Sequence, residues 1–217
     1  MSQSRLKIEV ARAAMKYVED DMVLGVGTGS TVDAFIDELK ASRIRLEAAV
    51  SSSDRTTARL KDAGIPVRDL NQCGDLSLYI DGADEVDGRR HLIKGGGGAL
   101  TREKIIAGAS RRFVCIVEAS KCVQVLGEFP LPVEVIPMAR AFVARKLVGM
   151  GGRPELRADF TTDNGNLILD VRNMDLVDPL RVETEINQIP GLVTCGLFAH
   201  RAADQVLVAT ESGVETR

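Results

Sequence analysis

The chain has 217 residues, 45% of them hydrophobic, enough to bury one sizeable domain or a larger domain with a small second one, and this excludes a disordered chain. Lys and Arg number 28 against 31 Asp and Glu, so the net charge of −3 offers no basic footprint for a phosphate polymer, and nucleic acid is not an expected partner. Aromatic residues make up 4% with no Trp, which leaves few stacking platforms and points to a small ligand.

In chain order, Leu6, Val10, Ala13, Ala14 and Tyr17 recur at helical spacing up to the acidic pair Asp20-Asp21, and the apolar run Met22-Val23-Leu24 then reads as a buried strand. A glycine-rich turn over 25–29 leads into a second helix with Val32, Phe35, Ile36 and Leu39 on its inner face. A short strand over 46–50 follows, then a helix from about residue 54 to 63 closed by Gly64, and a strand near Val67. Next come a strand over 76–80, a helix over 101–109, and an apolar run over 113–117 suited to a central parallel strand. The alternation predicts an α/β fold with a doubly wound, mostly parallel, Rossmann-like sheet.

Three prolines, Pro130, Pro132 and Pro137, interrupt this alternation and mark a boundary. Beyond it, a helix over 139–150, a hairpin turn at Asp163-Asn164-Gly165-Asn166, a helix over 179–189 and an apolar run over 193–197 predict a second, smaller α+β module. The strand expected over 205–210 should rejoin the first sheet. The expected division is therefore 1–128 plus 203–217 as a Rossmann-like catalytic domain, and 129–202 as a lid or oligomer interface.

Cys73, Cys115, Cys122 and Cys195 are scattered without CxxC spacing and read as reduced packing residues. With only His91 and His200 beside them, the ligand inventory for zinc is poor, and no metal is expected. The segment Met1 to Arg5 leads into an amphipathic stretch without the apolar core of a signal peptide. No later run approaches the roughly 20 apolar residues that cross a bilayer, so no membrane partner and a cytoplasmic location are expected.

Five segments could carry chemistry. Gly25-Val26-Gly27-Thr28-Gly29-Ser30-Thr31 sits between a strand and a helix, where backbone N–H groups can converge on a phosphate. It lacks the P-loop lysine, and Ser30 stands where the dinucleotide fingerprint needs its third glycine. The plainer alternative is a tight turn with Ser30 or Thr31 as helix cap. Ser51-Ser52-Ser53-Asp54 ends another strand and reads either as pocket rim or as a capped helix start.

Asp81-Gly82-Ala83-Asp84-Glu85-Val86-Asp87-Gly88 crowds four acids after an apolar strand, and Ala83 rejects the EF-hand pattern. Magnesium coordination, a solvated acidic turn and acid–base chemistry are all compatible with it. Lys94-Gly95-Gly96-Gly97-Gly98 follows; four glycines cost chain entropy unless a ligand or backbone must approach closely, and Lys94 adds a cation beside exposed amides. A flexible linker is the competing reading, though Ile93 and the helix from Thr101 flank the run tightly. Glu103 lies in the first turn of the next helix, where the dipole favours its ionised form and a capping box does not account for it, so it reads either as a usable base or as ordinary helix-surface design. Asp81, Asp84, Lys94 and Glu103 together suit proton transfer next to a carbonyl.

These segments, with 101–105, 129–140 and the Thr162-Asp163-Asn164-Gly165-Asn166 turn, resemble the type A ribose-5-phosphate isomerases over essentially the whole chain. Many members carry alanine where Gly98 stands. The resemblance implies interconversion of D-ribose 5-phosphate and D-ribulose 5-phosphate through an enediolate in the non-oxidative pentose phosphate pathway, without metal or organic cofactor, by a homodimer or homotetramer. It also implies that Glu103 is the base, that Asp81 and Asp84 are the acids at the sugar, and that Lys94 is the cation stabilising the intermediate. Thr28, Gly29, Ser30, Thr31, Asp81, Gly82, Ala83, Asp84, Lys94, Gly95, Gly96, Gly97 and Lys121 correspond to substrate contacts. Two other readings stand beside it. A sugar-phosphate deaminase or lactonase would use a similar pocket, and the expectation that no histidine serves the acidic loop speaks against it. A sugar-phosphate sensor would need a DNA-binding segment, which is not expected before residue 30.

Overall fold

A computed structural model of the chain describes residues 3–217; Met1 and Ser2 of the N-terminal reading lie outside the described residues. The elements in chain order are α1 (Gln3–Ala14), β1 (Val23–Val26), α2 (Ser30–Ala41), β2 (Ala48–Ser51), α3 (Asp54–Asp62), β3 (Leu78–Asp81), β4 (Glu85–Val86), β5 (Leu92–Ile93), α4 (Leu100–Gly108) and β6 (Phe113–Glu118). There follow β7 (Leu131–Val135), α5 (Arg140–Gly149), β8 (Arg153–Leu156), β9 (Leu167–Arg172), α6 (Pro179–Asn187), β10 (Leu192–Cys195), β11 (Leu197–Phe198), β12 (Gln205–Thr210) and β13 (Gly213–Thr216). The chain divides into two units: 1–83 with 102–121 and 203–217, and 84–101 with 122–202.

The first unit is built on a six-stranded sheet in the order β13-β12-β6-β3-β1-β2. All neighbours are parallel except the terminal β12–β13 pair. The α/β class and the mostly parallel sheet expected from the alternation are thus present. Successive side chains on a strand point to opposite faces, so Leu24 and Val26, Leu78 and Ile80, Val114 and Ile116, and Leu207 and Ala209 form one apolar face. Val10, Ala11 and Ala14 of α1 and Phe35 and Ile36 of α2 bury against it. The opposite face carries Tyr79 and Phe113, whose ring centroids are 4.9 Å apart. Strand order reverses between β1 and β3, and open α/β sheets bind ligands outside the carboxyl ends of the strands at such a switch point.

The second unit holds a four-stranded antiparallel sheet, β10-β7-β9-β8, and a three-stranded ribbon, β11-β5-β4. Val133, Val135, Leu169 and Val171 pack with Val143 and Leu147 of α5 and Val182 and Ile186 of α6. The proline-rich stretch that breaks the sequence alternation is the inner strand β7, with Pro132 opposite Asp170 of β9. A proline in an inner strand runs against the usual preference, which is why the sequence reads as a break. The strand expected near Val67 is reduced to a single bridge with Ala49, whereas 205–210 returns to the first sheet beside β6.

Phe35→Ala removes a ring with no solvent exposure from the first core. It should cost about 3–5 kcal/mol of stability, measurable by chemical denaturation followed by circular dichroism.

Candidate active site

Asp81 ends β3 at the switch point and is fully buried. Burying a carboxyl group is costly unless donors replace its water. Here Thr28 N–H donates to Oδ1 at 3.1 Å and Gly82 N–H donates to the same oxygen at 2.7 Å. Oδ2 accepts the Tyr79 hydroxyl. Tyr79 and Asp81 are two residues apart on one strand and so share a face. The Gly25–Thr31 loop lies directly against this acid: a Cβ at residue 27 would overlap the Asp81 carboxyl group. Glycine at 27 is therefore required for the loop to reach Asp81, and any side chain would push them apart.

Gly29, not Ser30 or Thr31, occupies the N-cap of α2, and no side chain caps that terminus. The first-turn amides of Ser30 and Thr31 thereby keep the anion-binding character of a helix N-terminus. Ser53 caps α3 by accepting the Thr56 N–H at 3.0 Å, so the serine run is in part the helix start that the sequence allowed. It also fastens the glycine loop. The Thr28 and Ser53 hydroxyls lie 2.9 Å apart, and the Thr56 hydroxyl contacts Gly27 O at 2.9 Å and Thr28 Oγ1 at 3.0 Å.

Glu103 lies in the first turn of α4 and is 3% exposed, so it is not ordinary helix-surface decoration. Burial pushes the Tyr79 hydroxyl well above its usual pKa, and the nearby Asp81 and Glu103 carboxylates push it further in the same direction. The first unit therefore gathers Thr28, Tyr79 and Gly82 on Asp81 and places Glu103 close enough to Tyr79 to oppose its ionisation. Ala83 follows half-buried, and Lys121 sits half-buried on the turn after β6. Sequence reasoning missed Tyr79; its place two residues before Asp81 on an apolar strand was the available signal.

In the second unit, Asp84 accepts the Gly96 N–H at 2.7 Å. Lys94 is buried, its N–H donates to Gly196 O at 2.9 Å, and its ammonium lies 5.7 Å from the centre of the Phe198 ring. Arg157, also absent from the sequence reading, pairs with Asp170 and donates to Gly95 O at 3.1 Å and Gly96 O at 3.2 Å. These bonds leave Gly96 and Gly97 exposed on a loop of set shape. Gly98 has a φ of +79°, and a Cβ there would overlap the Phe160 ring, so glycine suits this position on both counts.

The crowded acids do not converge. Glu85 accepts the Gly127 N–H at 2.7 Å and also that of Phe129. Asp87 pairs with His91 at 2.9 Å. Among the described residues, no group of three or more His, Cys, Asp or Glu is placed to hold a metal ion.

A profile of the family described as Ribose 5-phosphate isomerase A (phosphoriboisomerase A) matches residues 48–213. The chain belongs to the ribose-5-phosphate isomerase A family. A ribose-5-phosphate isomerase A from Legionella pneumophila (strain Corby) is 60% identical over 211 residues, covering 97% of this chain and 98% of that one. Among solved structures, ribose 5 phosphate isomerase A from Neisseria gonorrhoeae is 46% identical with a TM-score of 0.98, covering 99% of this chain and 96% of that one. A D-ribose-5-phosphate isomerase in complex with phospho-erythronic acid is 38% identical with a TM-score of 0.95, covering 100% of this chain and 99% of that one.

Because the Tyr79 pKa is raised in the folded protein, its contribution to stability is complete below the unfolded value of about 10 and is lost as pH rises beyond it. The thermal midpoint should fall above that pH, and Tyr79→Phe should remove this component of the fall. Denaturation scans of both proteins across the alkaline range provide the comparison.

Proposed function

We infer that this protein interconverts D-ribose 5-phosphate and D-ribulose 5-phosphate through an enediolate. Family membership supplies the reaction class, and the observation that carries the mechanism is the burial of two acids, Asp81 and Glu103, around Tyr79 at the switch point of the sheet. Glu103 removes the C2 proton of the open-chain aldose and returns it to C1. A placed base of this kind contributes roughly 10²–10⁴ in rate. Charge develops on the carbonyl oxygen, and Lys94 with the Gly95, Gly96 and Gly97 amides stabilises it; each such donor is worth about 3 kcal/mol.

Asp81, held by Thr28, Gly82 and Tyr79, moves the hydroxyl proton between O1 and O2. Asp84 shapes the glycine loop through Gly96 and orients the sugar. The uncapped start of α2, with Thr28, Gly29, Ser30 and Thr31, takes the phosphate together with Lys121. In this mechanism the protons move between protein and sugar and Lys94 with the glycine amides meets the developing charge, so the reading calls on neither a metal nor an organic cofactor.

The reading extends to assembly and place in the cell. Ile136, Met138, Phe142, Val177 and Val193 of the second unit are exposed apolar side chains, and we assign them to the interface of a homodimer or homotetramer. The cytoplasm is the assigned compartment, consistent with four cysteines outside any disulfide. No helix among the described residues is long and apolar enough to cross a membrane.

Glu103→Gln should retain substrate binding while losing about 10²–10⁴ in turnover. The assay is ketose formation from ribose 5-phosphate, and turnover near that of the unaltered protein would move the base elsewhere. The unaltered protein should keep its full rate in EDTA; a loss would overturn the metal-free mechanism. A sensor would bind the sugar phosphate without changing the isomer ratio.

A further inference from the structure

The Thr162-Asp163-Asn164-Gly165-Asn166 turn takes no part in the mechanism above, yet the structure wraps it around a buried carboxyl group. Glu134 is on β7, between β10 and β9, and its strand neighbours Val133 and Val135 are in the apolar core of the second unit. Alternation along the strand sends Glu134 to the opposite face, where it has no solvent exposure. Its Oε1 accepts from the Thr162 hydroxyl at 2.8 Å, the Asn166 side-chain amide at 2.9 Å and that of Asn164 at 3.2 Å.

The turn is built to present those donors. The Thr162 hydroxyl accepts the N–H groups of Asn166 at 3.0 Å and Asn164 at 3.3 Å, and Thr162 N–H donates to Asn166 O at 2.9 Å. The turn thus saturates one oxygen of Glu134. The other oxygen accepts the hydroxyl of Thr101, a residue 33 positions away in sequence. Thr101 lies in the first turn of α4, two residues before Glu103.

We propose that Glu134 is a positioning residue for the isomerisation: braced by the 162–166 turn, it holds Thr101 and so sets where the first turn of α4 presents Glu103. The proposal rests on the reading of Glu103 as base. Three features support a role beyond satisfying a buried acid. The turn alone supplies three donors to Oε1, so the reach to α4 is an added restraint. Thr101 gives its hydroxyl to a distant strand rather than to its own helix. A helix of nine residues is marginal by itself and takes its position from such anchors.

The test compares Thr101→Val, Thr101→Ser, Glu134→Gln and Glu103→Gln, with rates expressed per folded molecule. A displacement near 1 Å at a reacting group costs on the order of a hundredfold. Thr101→Val should therefore lower kcat by about tenfold to a hundredfold, with KM changed less than about threefold. Its primary isotope effect on kcat with C2-deuterated ribose 5-phosphate should rise, because proton abstraction becomes more rate-limiting. Thr101→Ser, which keeps the hydroxyl, should recover most of the loss. Glu134→Gln should resemble Thr101→Val in kcat and isotope effect, with an added fall in melting temperature. If Glu134→Gln does not fold, Thr101→Val and Thr101→Ser still decide the matter. An unchanged kcat and isotope effect in Thr101→Val, or a serine variant as impaired as the valine one, overturns the positioning role while Glu103→Gln remains inactive. Full turnover in Glu103→Gln is a different failure, since it removes the base on which the role depends.

Discussion

A buried carboxyl group must recover from the protein what it loses in water. Asp81, Glu85, Glu134 and Glu183 are all nearly or wholly buried, and each recovers donors from a different loop or helix end. Asp81 draws on the glycine loop after β1, and Glu85 on the amides of Gly127 and Phe129. Glu134 draws on the 162–166 turn and on α4, and Glu183 on the amides of Ala199 and His200 at 2.9 Å each. Leaving such an acid without its donors would cost about 1–3 kcal/mol or more. The same bonds that make the acids tolerable therefore give loops of little intrinsic rigidity a defined shape.

Within the first unit this requirement coincides with the topology. Reversal of strand order between β1 and β3 opens the sheet at its carboxyl end, and Asp81 and the Gly25–Thr31 loop meet there. Their approach depends on the missing side chain at Gly27. Tyr79 fits because Gly25 is also bare: a Cβ at residue 25 would come within 2.9 Å of its ring and 2.8 Å of Ile106. The phenol then donates to Asp81 and lies close enough to Asp81 and Glu103 for both to oppose its ionisation. The proposed mechanism asks Asp81 to be held in a set orientation and Glu103 to stand ready to take a carbon-bound proton. A neutral phenol beside both is a consistent neighbour, since it donates without adding a third negative charge.

The second unit solves its loop problem with polar clamps. The glycine run 95–98 would be costly to order on its own. Asp84 holds the Gly96 amide, Arg157 holds the Gly95 and Gly96 carbonyls, and Asp170 holds Arg157. Phe160 fills the space that a side chain at 98 would occupy. Preorganised amides stabilise developing charge better than amides that must reorganise during the reaction, so the entropy lost in ordering this loop is consistent with the chemistry assigned to it.

By itself, the sequence determined the α/β class, the glycine turn, the acidic loop, the Lys94 loop and the family, because periodicity, turn chemistry and motif spacing are local properties of the chain. It read Pro130, Pro132 and Pro137 as an interruption of the alternation, and did not reveal that Pro132 sits inside the inner strand β7, because a proline there runs against the local preference. It allowed Ser30 or Thr31 as the cap of α2, and the backbone instead gave that place to Gly29. Tyr79, Arg157 and Glu134 were decided only by the tertiary structure. Arg157 and Glu134 act through partners tens of residues away, as with Thr101 and Glu134, which no local pattern states. Tyr79 shares a strand face with Asp81, a local relation, but its burial beside that acid is set by how the strands pair and the helices cover them.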